Sequence, residues 1–270
     1  MKWQMRKIVL LAVIVSTLFF SMLLYYVTYP FLFQNKAFFL SKFCLFQLEK
    51  HMKELSTIRI IIAGLLLFTV LIVCKRIWRQ FLYSKKLQKA LNPFIRKGKQ
   101  IHILPTAEVA AFTMGLFRPK VVVSEGLLQT FSDEEIDAII FHEEYHQNNR
   151  DPLKLFCITL LAEGMLYIPI LKGLLQRYHT YQELAADKYA MQKMKSSFEL
   201  GSALLKLIKI KTIENRCVTA SFAKTAINLR IEQVLNEKVV KLNIPLHTNS
   251  VYVTIGLFCV SIVLIVGECI

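Results

Sequence analysis

The sequence predicts a mainly α-helical membrane protein that carries one small α+β domain. Of its 270 residues, 54% are hydrophobic, above the roughly 45–50% usual for soluble domains, and many lie in three long apolar runs. Two short β-branched or apolar runs, at residues 101–104 and 120–123, lie outside these three. The formal net charge is +15. The apolar content excludes a disordered chain, and the apolar and basic excess together are not typical of a cytosolic enzyme.

The three apolar runs are candidate membrane spans. Residues 8–27 contain no charge, and about 20 apolar residues cross the roughly 30 Å of bilayer hydrocarbon. The second run covers residues 55–74 and the third begins near residue 248. Each could instead be a buried core helix. We expect a membrane region at 1–84, a soluble domain at 85–245 and a last span within 246–270.

The distribution of Lys and Arg predicts the orientation of these spans. Nine basic residues and no acidic one lie between Lys75 and Lys99, which places this stretch in the cytoplasm by the positive-inside rule. The N-terminus then lies inside, and residues 28–54 and the C-terminus lie outside. Because the basic stretch directly follows a span, contact with anionic lipid explains it better than nucleic-acid binding. We therefore expect a multi-pass protein of the cell membrane.

Local patterns predict the elements of the soluble domain. Residues 101–104 and 120–123 are short β-branched or apolar runs typical of strands. Ser132 followed by Glu135 three residues later fits a capping box, so a helix is expected to begin there. Its apolar spacing predicts one buried face.

That helix carries the sequence His142-Glu143-Glu144-Tyr145-His146, an H-E-x-x-H motif. Residues i and i+4 of a helix lie one above the other, so both imidazoles can bind one ion. Zn²⁺ suits this arrangement because it accepts neutral imidazole nitrogens and leaves a position open for water. Glu143 is then placed to act on that water as a general base.

A third ligand is expected from Glu183-Leu184-Ala185-Ala186-Asp187, within a run of good helix formers. Glu183 would complete a site of two histidines and one glutamate. Asp187, one turn later, could accept a hydrogen bond from the far nitrogen of a ligand imidazole. Alone, Glu183 fits a surface glutamate better than a ligand; together with the H-E-x-x-H motif and Asp187, the ligand is favoured. His179 is an alternative ligand.

The apolar run at residues 155–171 bears on this site, because it separates His146 from Glu183. A single membrane crossing there would put the two ligands on opposite sides of the bilayer. The run also contains Glu163 and Pro169. We therefore expect residues 153–172 to form a re-entrant hairpin or a helix lying against the membrane, with the site facing the cytoplasm.

With these residues the chain resembles the BlaR/MecR-type membrane zinc metallopeptidases, the β-lactam sensor and signal-transducer family, from about residue 100 to 235. The resemblance does not extend to the external penicillin-binding sensor domain that follows the last span in family sensors. The matching segments are residues 111–119 (AFTMGLFRP), residues 142–146 closing on residues 150–152 (RDP), the segment around Pro169, Glu183 with Asp187, and the helix around Arg230.

The resemblance implies a gluzincin-type domain facing the cytoplasm. His142, His146 and Glu183 would be the zinc ligands and Glu143 the base. It also implies regulatory proteolysis, with cleavage of a repressor or of the protein itself.

Two features depart from the family pattern. Ser221 and Lys224 match the S-x-x-K of penicillin-binding chemistry, but no S-D-N or K-T-G accompanies them, so we interpret the match as coincidence, and it does not support direct β-lactam sensing. Related peptidases place a His shortly before the late Arg, and this chain has none there. Arg230 and Tyr189 are candidates for stabilising the transition state, with helix packing as the alternative.

Together these features predict metal-assisted hydrolysis of a protein or peptide substrate, with Zn²⁺ as cofactor. Residues 120–123 are expected to form a sheet edge that pairs with substrate backbone. Two alternatives stay open. One is a quality-control protease that cuts damaged membrane proteins, and the other is a transducer or scaffold that acts by binding alone.

Overall fold

The computed structural model describes residues 1–33, 45–214, 221–236 and 246–269. These residues form helices and four strands, which divide into two compact units. One unit, here the span unit, comprises Leu10–Ile77, Leu160–Gly173 and Leu246–Ile270; the other, the sheet unit, comprises Met1–Val9, Trp78–Thr159 and Leu174–Pro245. The elements are α1 Lys2–Phe33, α2 Leu45–Lys89, β1 Asn92–Arg96, β2 Lys99–Leu104, β3 Ala111–Met114, β4 Lys120–Ser124, α3 Glu125–Thr130, α4 Asp133–Asn148, α5 Asp151–Gly164, α6 Pro169–Met194, α7 Phe198–Glu214, α8 Ser221–Leu235 and α9 Thr248–Cys269.

Three of the described helices are long and apolar enough to cross a membrane, at Lys2–Tyr29, Thr57–Lys89 and Thr248–Val266. They coincide with the three predicted runs. Helix α2 continues without interruption through residue 84, where the sequence had suggested a boundary. Of the predicted external loop at 28–54, residues 34–44 lie outside the described residues, and the flanking parts belong to α1 and α2. The side chains of the S-x-x-K segment also lie outside the described residues.

The exposed faces of these helices are apolar. Along α1, Ala12, Phe19 and Tyr26 are buried on one stripe, whereas Leu18 is about half exposed. Helix α2 likewise has an exposed apolar side chain, Ile60, whose exposed fraction is 72%. A soluble protein seldom leaves so large a continuous apolar surface in contact with water. Hydrocarbon is the solvent that suits these faces.

Residues 155–171 do not form one continuous helix. Helix α5 ends at Gly164 and α6 begins at Pro169, whose ring is favoured in the first turn of a helix. Within the span unit, the Tyr167 hydroxyl in this break lies 3.3 Å from Thr69 Oγ1 of α2. The break agrees with a hairpin rather than a single crossing, and its placement in the membrane stays a prediction.

The sheet unit contains a four-stranded sheet of order β1-β2-β4-β3, in which β2 and β4 are parallel and the outer pairs are antiparallel. Strands β2 and β4 match the two predicted runs; β1 and β3 were not predicted. Helix α4 packs on one face of the sheet, and α7 packs on α4. The buried residues of this core are Ile101, Val121, Val123, Leu127, Phe131, Ile136, Ile139, Ile140 and Ala203.

The predicted capping box begins α4. Ser132 Oγ accepts from the Glu135 N–H at 3.3 Å, and the Ser132 N–H donates to Glu135 Oε2 at 3.0 Å. Ser202 and Lys206 of α7 also donate to the Glu135 carboxylate, at 2.5 and 2.7 Å. Burial opposes ionisation, but these donors outweigh it and lower the pKa of Glu135. The start of α4 is therefore fixed by both its own cap and a neighbouring helix.

Substitution of Ser132 by Ala should destabilise the sheet unit, because it removes the hydroxyl that caps α4. A lost N-cap costs about 1 kcal/mol, which corresponds to about 2–4 °C in the unfolding midpoint of a protein of this size. The measurement is thermal unfolding in detergent. Ser84→Ala, which removes only a long contact with Gln88 on α2, is the control, and an equal shift for both variants would contradict the prediction.

Candidate metal centre

Helices α4 and α6 bring together the three residues predicted as ligands. His142 and His146 lie one turn apart on α4, and their Nε2 atoms are 3.1 Å from each other. Glu183 of α6 faces both: Oε2 lies 3.5 Å from His142 Nε2, and Oε1 lies 3.7 Å from His146 Nε2. The three ligand atoms all lie within 4.8 Å of one another, and both histidines are buried.

This spacing fits one small divalent cation. Two ligands bound tetrahedrally at about 2.0–2.1 Å lie about 3.3 Å apart, close to the 3.1 Å between the two nitrogens and to the 3.5 and 3.7 Å from each nitrogen to one Glu183 oxygen. The donor set, two imidazole nitrogens and a carboxylate, is one that Zn²⁺ and related first-row metals accept. No sulfur atom belongs to the group in the part of the chain that the structure describes.

The second nitrogen of each imidazole faces a buried carboxylate. His142 Nδ1 lies 2.8 Å from Asp187 Oδ1, and His146 Nδ1 lies 3.0 Å from Asp151 Oδ2. Such partners fix the tautomer and the ring orientation of metal-binding histidines. Asp187 had been predicted for this position, whereas Asp151 had been given no role. Arg150, at φ 51°, makes the tight turn between α4 and α5 that precedes Asp151.

Arg230 of α8 holds the carboxylates of α6. Its Nε and Nη2 atoms donate to the two oxygens of Asp187 at 2.7 and 2.8 Å, and Nη1 lies 3.0 Å from Glu183 Oε2. Burial opposes the charged forms of all three groups. The mutual attraction outweighs it, lowering the pKa values of Asp187 and Glu183 and raising that of Arg230. This geometry fits the packing alternative for Arg230, because its guanidinium is engaged by protein carboxylates.

The electrostatic field at the site favours a cation. Burial alone would lower the pKa of His142, yet Asp187 and Glu183 raise it to about 10. The same carboxylates that favour a proton on His142 would favour a cation bound between His142 and Glu183.

The site opens into a cavity of about 530 Å³ in the sheet unit. One wall is α4 with the motif, and another is the segment 109–113, which includes most of β3. Strand β3 is the outer strand of the sheet on this side, whereas β4 is hydrogen-bonded on both sides. The prediction of a substrate-binding edge at residues 120–123 is therefore wrong. The remaining wall, mostly apolar, comes from Pro152, Leu155, Leu200, Ala203, Leu204, Leu207, Ile208 and Ile227.

Glu143, the predicted base, lines this cavity next to His142. Thr113 Oγ1 of β3 lies 2.8 Å from Glu143 Oε2 and 2.9 Å from the Glu143 main-chain oxygen. Thr113 was part of the family-like segment at 111–119, but the sequence suggested no role for it, because its partner is 30 residues away.

The remaining candidates lie at the edge of the site or away from it. His179, the alternative ligand, is exposed and lines the cavity, but it is not part of the three-residue ligand group. Tyr189 packs on Tyr145, with ring centroids 5.8 Å apart, and is not among the described residues that line the cavity. Its position fits the packing alternative rather than contact with a reacting group.

Comparison with known proteins identifies relatives of this chain. The family described as BlaR1 peptidase M56 matches residues 8–234, most of the chain. The regulatory protein BlaR1 of Bacillus licheniformis is 26% identical over 129 residues. That alignment covers 46% of this chain and 21% of the relative, so the match spans about a fifth of the relative's length.

Separate replacement of Glu183 and His179, the two candidates on α6 for the third metal ligand, should show which of them binds the metal. Glu183→Ala removes a converging oxygen and should abolish stoichiometric binding of a divalent cation, whereas His179→Ala should keep about one equivalent per chain. Elemental analysis of the purified protein after exposure to Zn²⁺ provides the measurement. Loss of metal from His179→Ala with retention in Glu183→Ala would reverse the assignment.

Asp151 should tune the affinity of the site without binding the metal itself. Asp151→Asn weakens the hydrogen bond that orients His146, and loss of such partners typically lowers metal affinity about 10–100-fold. Competition with a chelator measures this change. Asp133→Asn, at an exposed carboxylate on the same helix that pairs with Arg96, serves as control and should leave the affinity unchanged; equal affinities for all three proteins would refute the role of Asp151.

Proposed function

The chain belongs to the BlaR1-type M56 peptidase family, and on that premise we propose that it is a membrane-bound zinc endopeptidase acting at the cytoplasmic face. His142, His146 and Glu183 hold the metal, and Glu143 is the general base. The observation that carries this proposal is the convergence of the three ligand atoms within 4.8 Å, beside Glu143, in one open cavity.

The chemistry assigned to the site is hydrolysis of a peptide bond. Zn²⁺, when bound, supplies polarisation of the scissile carbonyl and acidification of water. Glu143 accepts a proton from the attacking water as the water oxygen bonds to the carbonyl carbon. Glu143 then delivers that proton to the leaving nitrogen as the C–N bond breaks. General acid–base catalysis of this kind contributes about 100- to 10,000-fold.

Strand β3 is the element that we assign to substrate binding. Its outer edge has no partner strand among the described residues, and it borders the cavity that contains Glu143. An extended peptide can add to such an edge through main-chain hydrogen bonds. The apolar walls of the cavity would then contact substrate side chains. This favours an unfolded or extended segment of a protein as the substrate.

The regulatory role rests on the relative and on the charge pattern. The relative from Bacillus licheniformis is named a regulatory protein, which supports limited cleavage of a particular protein, such as a repressor, over general degradation. The nine basic residues between Lys75 and Lys99 support a cytoplasmic placement of the sheet unit.

Glu143→Gln should abolish hydrolysis and keep the metal, because it removes the proton acceptor without changing the ligand set. The assay is cleavage of β-casein, an unfolded protein, by the zinc-loaded full chain in lipid nanodiscs. Glu144→Gln is the matched control, since the Glu144 carboxylate pairs with Lys99 instead. We expect wild-type cleavage from Glu144→Gln; cleavage of β-casein by Glu143→Gln at the wild-type rate would exclude Glu143 as the base.

The same variant separates regulation from quality control in cells. New protein N-termini that are present with the wild-type chain and missing with Glu143→Gln identify its products. A regulatory peptidase yields one or a few such termini, whereas a quality-control protease yields many from unrelated membrane proteins. Normal signalling by cells that carry Glu143→Gln would favour the non-catalytic transducer.

A further inference from the structure

The contact between Thr113 and Glu143 joins two elements that the proposed function uses separately. Thr113 lies on β3, the strand assigned to substrate binding, and Glu143 lies on α4, the helix of the metal ligands. The Thr113 hydroxyl is within hydrogen-bond distance of both Glu143 Oε2 and the Glu143 main-chain oxygen, at 2.8 and 2.9 Å. Its single proton can serve the carboxylate, which is the stronger acceptor when ionised.

The Glu143 carboxylate depends on this contact for its orientation. A glutamate side chain has several rotatable bonds, and ordering it costs conformational entropy. Among the described residues, Thr113 is the side chain that provides the Glu143 carboxylate with a hydrogen bond. Arg230 lines the same cavity but is bound to Asp187 and Glu183. The hydroxyl engages one carboxylate oxygen and leaves the other without a protein donor in this part of the chain.

We propose that Thr113 is a positioning residue for the general base. It holds Glu143 Oε2, so that the free oxygen of the carboxylate is kept ready to accept the proton of the attacking water. This inference rests on the proposed function, and it adds a role for the substrate-binding strand: β3 orients the base as well as the peptide.

A purely structural role predicts different behaviour. Thr113 could simply tie β3 to α4 through the Glu143 main-chain oxygen, in which case its loss would affect stability and substrate binding. A positioning role predicts a loss in the rate of the chemical step with little change in KM, because the base is misplaced while the substrate edge stays intact. A misplacement of about 1 Å near a reacting group can cost about 100-fold in rate.

The test compares three variants of the zinc-loaded full chain in nanodiscs. Thr113→Val keeps the shape of the side chain and removes the hydroxyl, whereas Thr113→Ser keeps the hydroxyl. Thr180→Val is the matched control, because it removes a hydroxyl that donates to the Gln176 carbonyl on α6 at 3.0 Å. The substrate is an internally quenched peptide built around a site at which the wild-type chain cuts β-casein.

We expect Thr113→Val to lower kcat about 10- to 100-fold, with KM and metal content within about twofold of wild type. Thr113→Ser should recover most of the rate, and Thr180→Val should match wild type. The proposal fails if Thr113→Val retains wild-type kcat, if Thr113→Ser is as slow as Thr113→Val, or if the loss is confined to KM or metal content.

A binding measurement separates this inference from the proposed function. Leucine hydroxamate carries a hydroxyl that can donate a hydrogen bond to a correctly placed Glu143 carboxylate. Its affinity for the zinc-loaded chain therefore depends on the position of that carboxylate and can be measured without turnover. We expect Thr113→Val and Glu143→Gln to weaken binding by similar factors and Thr113→Ser to restore it. An unchanged hydroxamate affinity in Thr113→Val would overturn the positioning role. If the variants show the expected changes in hydroxamate affinity but the wild type cleaves no peptide, only the proposed peptidase activity is overturned.

Discussion

Two imidazoles one helical turn apart, joined by a carboxylate from another helix, are the arrangement on which this site depends. The i, i+4 spacing on α4 brings the Nε2 atoms of His142 and His146 to 3.1 Å. Without a cation, a close pair of imidazoles beside Glu183 is costly to bury. Asp187 and Asp151 lie beside the outer nitrogens of the two rings, at 2.8 and 3.0 Å.

A break in the helical chain lies between the candidate ligands His146 and Glu183. Residues 155–171 are apolar enough for a span, and an uninterrupted crossing would separate the ligands by the thickness of a bilayer. Gly164 ends α5 and Pro169 starts α6. Helix α6 then carries Glu183 and Asp187 in its later turns.

The parts predicted from sequence are those specified by short-range patterns. The capping box at Ser132, the H-E-x-x-H spacing and the three apolar runs all depend on residues close together in the chain. Strand β3 was not predicted because four residues, Ala111–Met114, are too short for an alternating pattern. Its neighbour β4 is a conspicuous Val-rich run, and that hydrophobicity marks a central strand rather than an edge.

The contacts that orient the site could not be predicted in the same way. Asp151, which pairs with His146, follows a turn in which Arg150 adopts a positive φ, and a sequence does not specify that conformation for a non-glycine residue. Thr113 and Glu143 are in contact although 30 positions separate them in the chain, and Arg230 and Asp187 although 43 positions separate them. Such partners follow from how the helices and the sheet pack, which local patterns do not determine.

X-ray absorption at the zinc edge tests the central claim most directly. For the purified full chain loaded with one equivalent of Zn²⁺, the account predicts two imidazole nitrogens and carboxylate or water oxygen at about 2.0–2.1 Å, with no sulfur. The spectrum of Glu183→Ala should lose this signature. A shell containing thiolate sulfur, or a spectrum that is the same in the wild type and in a variant lacking both His142 and His146, would contradict the account.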